Sequence, residues 1–160
     1  MDIIDQLLAD WDKERPDLDP SAMAVVGRLL NIGQRLENRI TERLKPYGLN
    51  YSDFDVLATL RRSGSPYELT PKALMQSVLL TSGAMTALLE RLEKRELITR
   101  GTDEKDRRVR TAKLTHQGKD IVDQAIGERF DEAREAISFM TKDDQDKLAK
   151  TLSLLTSHLT

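Results

Sequence analysis

The sequence predicts a mainly α-helical protein with one small β-hairpin. Charged residues make up 32% of the chain and aromatic residues only 4%, a composition that favours long amphipathic helices. Apolar residues recur at intervals of three and four along most of the chain, which is the period of a helix. The exception is residues 97–114, where two alternating segments flank a polar loop, as in a hairpin.

Residues 1–20 are predicted to form an N-terminal extension of one short helix and a linker. Five apolar side chains up to Trp11 fall at helical spacing, and Pro16 and Pro20 follow in an extended segment. Trp11 is the single tryptophan of the chain. It has two interpretations: it pins this helix onto the core, or it forms the wall of a ligand pocket.

Two further helices are expected before the middle of the chain. Ser21 is expected to cap a long helix that reaches about Lys45, because apolar residues follow at helical spacing and a Pro-Tyr-Gly sequence ends the pattern. Ser52 is expected to cap the next helix, which ends near Gly64.

A helix-turn-helix is predicted after Thr70. Thr70 can cap the first helix, and the proline that follows suits the first helical position. This helix is expected to end near Ser77, and three apolar residues, 78–80, are expected to form the turn. Thr81 or Ser82 is expected to cap a second helix that lasts to about residue 96.

The helix pair leads into the hairpin, so the order is helix, turn, helix, wing. The strands are expected at Ile98–Arg100 and Val109–Leu114, with a loop that begins at Gly101. From Pro71 to Lys119 there are eleven basic and six acidic side chains, a net charge of +5, although the whole chain carries −2. A basic module in an acidic chain indicates a nucleic-acid surface. The alternative, a solvated helix and hairpin, accounts for the charge but not for the order of elements.

Two helices are predicted after the wing. Thr115 is expected to cap a helix that continues to about Met140, and Thr141 is expected to cap the last helix. A narrow apolar stripe, typical of a helix-packing seam, runs along the last helix. We expect it to form a dimer interface through Leu148, Leu152, Leu155 and Leu159. The alternative is packing within one chain.

The middle of the chain resembles the winged helix-turn-helix of the MarR family of bacterial transcriptional regulators. The most specific part is residues 103–121, which contain an Asp-x-Arg wing tip at Asp106–Arg108 and then Leu114-Thr115 and Gly118. The resemblance extends over roughly residues 21–159. It implies a mainly α fold with a small β-wing and a dimeric, MarR-like winged helix-turn-helix architecture.

The resemblance also implies how the chain is organised. Residues 21–46 and 115–160 would form a helical dimerisation region, and residues 50–114 would form the DNA-binding region of a single domain. The region Tyr67–Leu69 would add a short strand to the wing sheet. Two related DNA-binding regions would read a palindromic operator in double-stranded DNA.

The DNA contacts are expected in three places. The second helix of the pair would enter the major groove, where small residues let the backbone approach the bases. Its contact residues are expected to be Thr81, Ser82, Gly83, Met85 and Thr86. Contacts that position the protein on phosphate are expected from Lys72, Gln76, Arg91 and Arg95.

The wing tip supplies the third set of contacts. The resemblance implies that Arg108 enters the minor groove and that Asp106 orients it through a charge-assisted pair. A local turn is a second interpretation of Asp106, and both can hold. Arg107 and Arg110 are expected to meet phosphate.

A small aromatic or phenolic effector is implied, since many MarR relatives bind one. In the urate-responsive branch the pocket uses an N-terminal Trp, an Asp and two arginines; Trp11, Asp55 and Arg100 match three of these positions. The recognition-helix arginine does not match, because Leu88 stands there. The mismatch favours a neutral or less acidic aromatic compound over urate. A helix-pairing carboxylate is the alternative interpretation of Asp55.

Several classes of function are disfavoured. The chain has no cysteine, hence no disulfide, thiolate metal site or cysteine redox switch. His116 and His158 are isolated and no catalytic motif appears, so we expect no enzyme, cofactor or metal. No apolar run is long enough to span a membrane and no leader precedes the chain, so a cytoplasmic location is expected. The sequence therefore predicts a ligand-responsive repressor; the alternative is a helical dimeric interaction module or anti-regulator without specific DNA binding.

Overall fold

The computed structural model describes residues 1–78 and 85–160, which are mostly helical and include one small antiparallel sheet. This confirms the predicted fold class. The elements of the described residues are α1 Ile3–Glu14, α2 Met23–Leu44, a 3-10 helix Lys45–Tyr47, α3 Tyr51–Arg62, β1 Glu68–Leu69, α4 Pro71–Ser77, α5 Met85–Lys94, β2 Ile98–Thr102, β3 Arg110–Leu114, α6 His116–Ala136 and α7 Lys142–Leu159. The chain forms two compact units, residues 1–40 and residues 41–160.

In the first unit, helix α1 is fixed at its beginning by a capping box. The Asp2 carboxylate accepts hydrogen bonds from the backbone N–H groups of Ile4 and Asp5 at 2.8 and 3.0 Å, and the Asp5 side chain accepts one from the Asp2 N–H at 2.9 Å. Both carboxylates also bind Arg28 of α2, at 2.9 and 2.5 Å. The buried Ile4 packs beside Gly27, where an added Cβ would lie 3.0 Å from the Ile4 Cδ1. The predicted N-terminal helix is thus present and continues to Glu14.

Two of the predicted helix starts are wrong. Helix α2 begins at Met23 and not directly after Ser21, because residues 20–22 form a turn in which the Ser21 carbonyl accepts from the Ala24 N–H at 3.0 Å. Helix α3 is capped by Asn50 and not by Ser52. The Asn50 Oδ1 accepts from the Asp53 N–H at 2.8 Å, and the Ser52 hydroxyl donates to the same oxygen.

The sheet has the strand order β1-β3-β2 and is antiparallel throughout. Glu68 pairs with Lys113, which confirms the short third strand expected from the resemblance. Gly101 was expected in the hairpin loop, but it lies within β2, opposite Thr111. A Cβ on Gly101 would lie 2.9 Å from the Thr111 Oγ1 and 3.0 Å from the Glu68 Oε1. The strand continues through Gly101 because its pairing with β3 continues to Thr102, and the close approach of side chains from β1 and β3 favours a glycine at that position.

The core of the second unit forms around α3, seven of whose residues are buried. Leucines of α3, α4 and α5 and the first residue of β2 are almost fully inaccessible to solvent. They include Leu57, Leu60, Leu74, Leu89, Leu92 and Ile98. Three leucines of α5, Leu88, Leu89 and Leu92, are also buried. This core holds α4 and α5 against α3 and the sheet.

The last two helices are capped as predicted. The Thr115 side chain accepts from the Gly118 N–H at 2.9 Å, and the Thr141 side chain accepts from the Asp144 N–H at 3.2 Å. Helix α6 ends at Ala136, earlier than Met140. None of the residues of α7 is buried. Within the described residues, none of the helices is both apolar enough and long enough to span a membrane.

Candidate nucleic-acid interface

Helix α4 presents two of the predicted phosphate contacts. Thr70 caps the helix, as predicted, by accepting from the Ala73 N–H at 3.2 Å. Leu74 is fully buried, so the opposite side of the helix faces solvent. Lys72 and Gln76 are both exposed and lie one turn apart, hence on the same side. The helix can place one cation and one amide along a phosphate backbone.

Helix α5 has one buried and one exposed side. Its exposed residues are Thr86, Ala87, Glu90, Arg91 and Lys94. Thr86 therefore points to solvent, as a base or phosphate contact requires. The predicted contacts Thr81, Ser82 and Gly83, and the predicted turn 78–80 beyond Val78, lie outside the described residues.

Met85 does not lie where a base contact would need it. Its side chain is only 8% exposed and belongs to the apolar core. Burial of a thioether in the core contributes to packing, but it keeps the side chain away from a ligand at the surface. This placement argues against the predicted contact between Met85 and thymine methyl groups.

Arg91 and Arg95 are engaged with a buried carboxylate. Asp53, at the beginning of α3, is only 3% exposed, and its Oδ1 accepts from the Arg91 Nη2 at 2.5 Å and Nε at 3.2 Å. The Arg95 Nη1 donates to the Gly48 carbonyl at 2.7 Å and lies 3.9 Å from the Asp53 Oδ2. These arginines were expected to be phosphate contacts. In the structure Arg91 joins α5 to the first turn of α3, and Arg95, directly after α5, binds the Gly48 carbonyl. The sequence analysis missed this arrangement.

The wing tip carries the pair expected at Asp106 and Arg108. The Asp106 Oδ1 accepts from the Arg108 Nε at 3.2 Å and from the Arg108 backbone N–H at 3.0 Å. Hydrogen bonds from the Arg108 side chain and backbone hold the pKa of the Asp106 carboxyl below its usual value. The Arg108 side chain is 91% exposed. The carboxylate thus closes the turn and also restrains a cation that projects into solvent, so both interpretations of Asp106 hold.

The other two wing arginines are also exposed. Arg110, at the beginning of β3, lies 3.8 Å from the Glu93 carboxylate of α5. An exposed pair at this distance is weak, and it leaves the guanidinium accessible to an anion. Arg107 lies next to Arg108 at the tip. The geometry is therefore compatible with the predicted phosphate contacts of Arg107 and Arg110.

Gly118 and Thr115 explain the Leu-Thr-x-x-Gly motif in physical terms. The Thr115 hydroxyl donates to the Glu96 carbonyl at 2.7 Å while its oxygen caps α6. A Cβ on Gly118 would lie 2.0 Å from the Leu97 carbonyl oxygen. Helix α6 therefore begins in direct contact with the segment that joins α5 to β2, which fixes the wing relative to α6.

The structure describes all three residues proposed for a ligand pocket. Asp55 is buried on α3 and lines a cavity between α3 and α6. Arg100 lies on β2, where its Nε donates to the Thr111 carbonyl at 2.9 Å, and it is not among the described residues that line this cavity. Trp11 lies on α1 in the first unit and is half exposed.

The cavity has basic residues that the sequence analysis did not single out. Arg62 at the end of α3 and Arg129 on α6 both line it, together with Phe130. Their positions along the chain carry no motif, because they are brought together only by the packing of α3 on α6.

The leucines predicted for the dimer interface lie on one side of α7. Leu148, Leu152 and Leu159 are exposed, and Leu155 is partly exposed. An apolar stripe of this length in water favours a partner surface.

The sequence is similar to known regulators. A family model described as "MarR family" matches residues 47–109. The chain is 29% identical over 156 residues to the HTH-type transcriptional regulator PecS of Dickeya dadantii, covering 98% of this chain and 94% of PecS. It is 32% identical over 118 residues to the HTH-type transcriptional regulator SarZ of Staphylococcus epidermidis, covering 70% of this chain and 78% of SarZ.

The fold is also similar to solved structures. The MarR family regulator Sco3205 of Streptomyces coelicolor, in complex with DNA, superposes with a TM-score of 0.79 at 20% identity, covering 89% of this chain and 90% of that one. The organohalide-sensing regulator RdhR-CbdbA1625, bound to 2,4-dichlorophenol, superposes with a TM-score of 0.77 at 24% identity, covering 91% of this chain and 84% of that one. At these identities the likeness shows the fold.

Proposed function

The chain belongs to the MarR family and is a transcriptional regulator of that type, and on this premise we propose that it is a homodimeric, ligand-responsive repressor that binds a palindromic operator. Helix α5 would enter the major groove and the wing tip the adjacent minor groove. We expect the protein to repress transcription, because the resemblance to the family implies repression. The role is regulatory and not enzymatic.

The observation that carries the DNA-binding proposal is the geometry of the wing tip. Arg108 is almost fully exposed, yet Asp106 restrains both its backbone and its guanidinium. A restrained cation loses less conformational entropy on binding than a free one. A narrow minor groove attracts such a guanidinium because its potential is strongly negative. The DNA complex of the similar regulator Sco3205 supports the same use of this fold.

Dimerisation is proposed because the last helix has an apolar surface and no buried residue. The stripe formed by Leu148, Leu152, Leu155 and Leu159 would become buried against a second copy. A dimer would place two wings and two copies of α5 on successive turns of one face of DNA.

The effector is proposed to be a small aromatic or phenolic compound. The cavity between α3 and α6 contains Phe54 and Phe130, and a similar regulator binds 2,4-dichlorophenol. Asp55 lines the cavity, whereas the roles of Trp11 and Arg100 in ligand binding stay predictions.

The test is fluorescence anisotropy of the purified protein on the DNA upstream of its own gene, with a titration of salt. We expect Arg108→Ala to weaken binding by about 1–3 kcal/mol, or roughly five- to 150-fold, because the minor-groove contact is lost. The matched control is Arg134→Ala, which removes an exposed cation from α6, away from the wing. If the two variants bound the DNA with equal affinity, the proposal that the wing tip contacts DNA would be wrong.

The same titration tests the alternative, an interaction module without specific DNA binding. Binding through several phosphates falls steeply with salt, whereas an apolar protein contact does not. The DNA tested includes the upstream region and fragments selected from genomic DNA for binding. If the protein binds none of these more tightly than random DNA of equal length, at any salt concentration, the result favours the alternative.

A further inference from the structure

Tyr67, directly before β1, has a backbone conformation that its own side chain disfavours. Its φ angle is 61°, in the left-handed region, where the Cβ of an L-residue crowds the carbonyl group that follows. Glycine or asparagine usually occupies such a position, and a bulky side chain there is an outlier. Strain of this kind persists only where the surrounding structure maintains it, and it indicates a role for the side chain.

The local turn does not account for the tyrosine. The Tyr67 N–H donates to the carbonyl oxygen of Gly64 at 2.7 Å, which closes a four-residue turn. This hydrogen bond uses backbone atoms alone, so a glycine in place of the tyrosine would make it without strain. The reason for the tyrosine must therefore lie in the contacts of its ring.

The ring of Tyr67 contacts cations from two helices. The guanidinium carbon of Arg61, near the end of α3, lies 5.2 Å from the ring centroid. The Nζ of Lys119, in the first turn of α6, lies 5.9 Å from the same centroid. Both distances are within the range of a cation–π interaction. The ring is thus held between elements that do not belong to the wing.

The two cations also share a carboxylate of α6. The Arg61 Nε donates to the Asp123 Oδ1 at 2.6 Å, and the Lys119 Nζ lies 3.7 Å from the Asp123 Oδ2. The three side chains are only 33–39% exposed, so water screens their interactions less than on an open surface. Because the carboxylate fixes both cations, they offer the ring a rigid seat.

Tyr67 is also where the wing sheet begins. Its carbonyl oxygen accepts from the Leu114 N–H at 3.0 Å, and the next two residues pair with Lys113 and Ala112 of β3. At a rise of about 3.3 Å per residue, β3 is roughly 13 Å long, and a tilt of about ten degrees at its base would move its far end by roughly 2 Å. A small change at Tyr67 would therefore be enlarged at the wing tip.

We propose that Tyr67 is a positioning residue for DNA recognition: its ring anchors the base of the wing to α3 and α6, so that Arg108 at the tip meets the minor groove. The inference rests on the proposed DNA contact of Arg108 and adds to it the residue that places this cation. The strain at Tyr67 is retained because a glycine would relieve it but would release the wing.

Glu96 provides a matched control. It is the other non-glycine residue with a positive φ among those that the structure describes, at 58°. It follows α5, and a left-handed residue commonly ends a helix in this way. Its side chain is exposed, and the hydrogen bond that it accepts from the Thr115 hydroxyl uses its carbonyl group. A glycine there would relieve strain and keep this contact.

The first measurement is affinity for the DNA that the wild type binds best, by fluorescence anisotropy. Tyr67→Gly is expected to weaken binding about three- to tenfold, as the loss of a coupled neighbour does. Tyr67→Phe keeps the ring and is expected to restore wild-type affinity. Glu96→Gly is expected to bind no more weakly than the wild type. All are measured where urea denaturation shows them to be folded, so that a loss of global stability does not lower the affinity.

A double-mutant cycle shows whether Tyr67 acts through the wing tip. In an Arg108→Ala background the tip has already lost its contact, so Tyr67→Gly should weaken binding by less than about twofold. A loss as large in this background as in the wild type would mean that Tyr67 acts through another part of the DNA-binding region. That result would overturn the inference.

A measurement without DNA separates the inference from the proposed function. Hydrogen exchange of residues 103–114 should be faster in Tyr67→Gly than in the wild type, because the hairpin has lost its anchor and opens more often. The exchange should be unchanged in Tyr67→Phe and in Glu96→Gly, which keep the ring.

Three further outcomes would overturn the inference: unchanged exchange in Tyr67→Gly, wild-type affinity of Tyr67→Gly, or a loss of affinity in Tyr67→Phe as large as in Tyr67→Gly. If Arg108→Ala bound DNA as tightly as the wild type while the exchange behaved as expected, the proposed minor-groove contact would be wrong, and the anchoring of the wing by Tyr67 would stand.

Discussion

At the scale of single residues, Gly118 allows α6 to begin in direct contact with the segment that joins α5 to β2. A Cβ there would lie 2.0 Å from the carbonyl oxygen of Leu97 and 2.9 Å from its carbonyl carbon. Both atoms belong to the backbone, and the same peptide carbonyl accepts from the Thr115 N–H at 3.1 Å. The glycine is needed because α6 begins against this peptide, which cannot move without breaking the junction.

The prediction is that Gly118→Ala lowers the free energy of unfolding by about 1–3 kcal/mol, as overpacking against backbone does. Urea denaturation measures it. The control is Gly127→Ala on the same helix, where no atom lies within 4 Å of the added Cβ. This variant should be more stable by roughly 0.5–1 kcal/mol, because alanine favours helix. If both variants changed the free energy of unfolding in the same direction, the steric argument would be contradicted.

At the scale of elements, α5 is fastened to α3 by the pair between Arg91 and Asp53. The carboxylate is buried and depends on Arg91 for its shortest hydrogen bond, at 2.5 Å. Removing one partner of such a pair leaves a buried charge with too few donors. The arginine is itself 44% exposed, so the loss is smaller than for a fully buried pair.

We expect Arg91→Gln to lower the free energy of unfolding by about 1–3 kcal/mol. The matched control is Arg110→Gln, which breaks the exposed pair with Glu93 at 3.8 Å and should cost less than about 0.5 kcal/mol. Chemical denaturation of both variants measures the two losses in the free energy of unfolding. Similar small losses would mean that Arg91 contributes little to the attachment of α5.

The first helix gives a prediction on pH. Backbone hydrogen bonds within the capping box, and then Arg28, lower the pKa values of the Asp2 and Asp5 carboxyl groups from 3.8. Because the folded pKa values are depressed, the stabilisation is present above the unfolded value of 3.8 and is lost as pH falls through the folded values. Helix α1 should therefore separate from α2 only below about pH 4.

Trp11, the single tryptophan, lies on α1, and its fluorescence anisotropy can follow this change during an acid titration. Arg28→Gln is expected to raise the midpoint towards the unfolded pKa, because it removes the second-largest cause of the shift in each carboxyl group. An acid midpoint that is identical in wild type and Arg28→Gln would show that Arg28 does not hold the helix.

At the scale of the whole molecule, the apolar stripe of α7 predicts a second copy. We expect a mass of twice 18.2 kDa in analytical ultracentrifugation, because none of the residues of α7 is buried although the helix carries this apolar stripe. Leu152→Glu should shift the protein towards the monomer, since a charge would be buried at the interface. The control is Leu18→Glu, at an exposed position in the N-terminal linker. A monomeric wild type would contradict the proposed dimer.

The sequence by itself determined the local structure of this protein. The capping threonines 70, 115 and 141 and the order of helices around the wing were predicted, and the resemblance to the family implied the pair of Asp106 with Arg108; the structure contains each of them. These signals lie within a few consecutive residues, because caps, turns and helical periodicity depend on near neighbours. The errors at Ser21, Ser52 and Gly101 are of one or two residues, where neighbouring polar residues or a crowded strand compete for the same role.

Only the tertiary structure decided which cations are held by the protein and which face solvent. Arg91 meets Asp53 across 38 positions of the chain, and Arg62 meets Ser77 across 15. The same packing turned Met85 into the core and placed Asp55 with two arginines around one cavity. The local sequence does not reveal such partners, because a charged side chain pairs with the group nearest to it in space. Which group lies nearest depends on how α3, α5 and α6 pack.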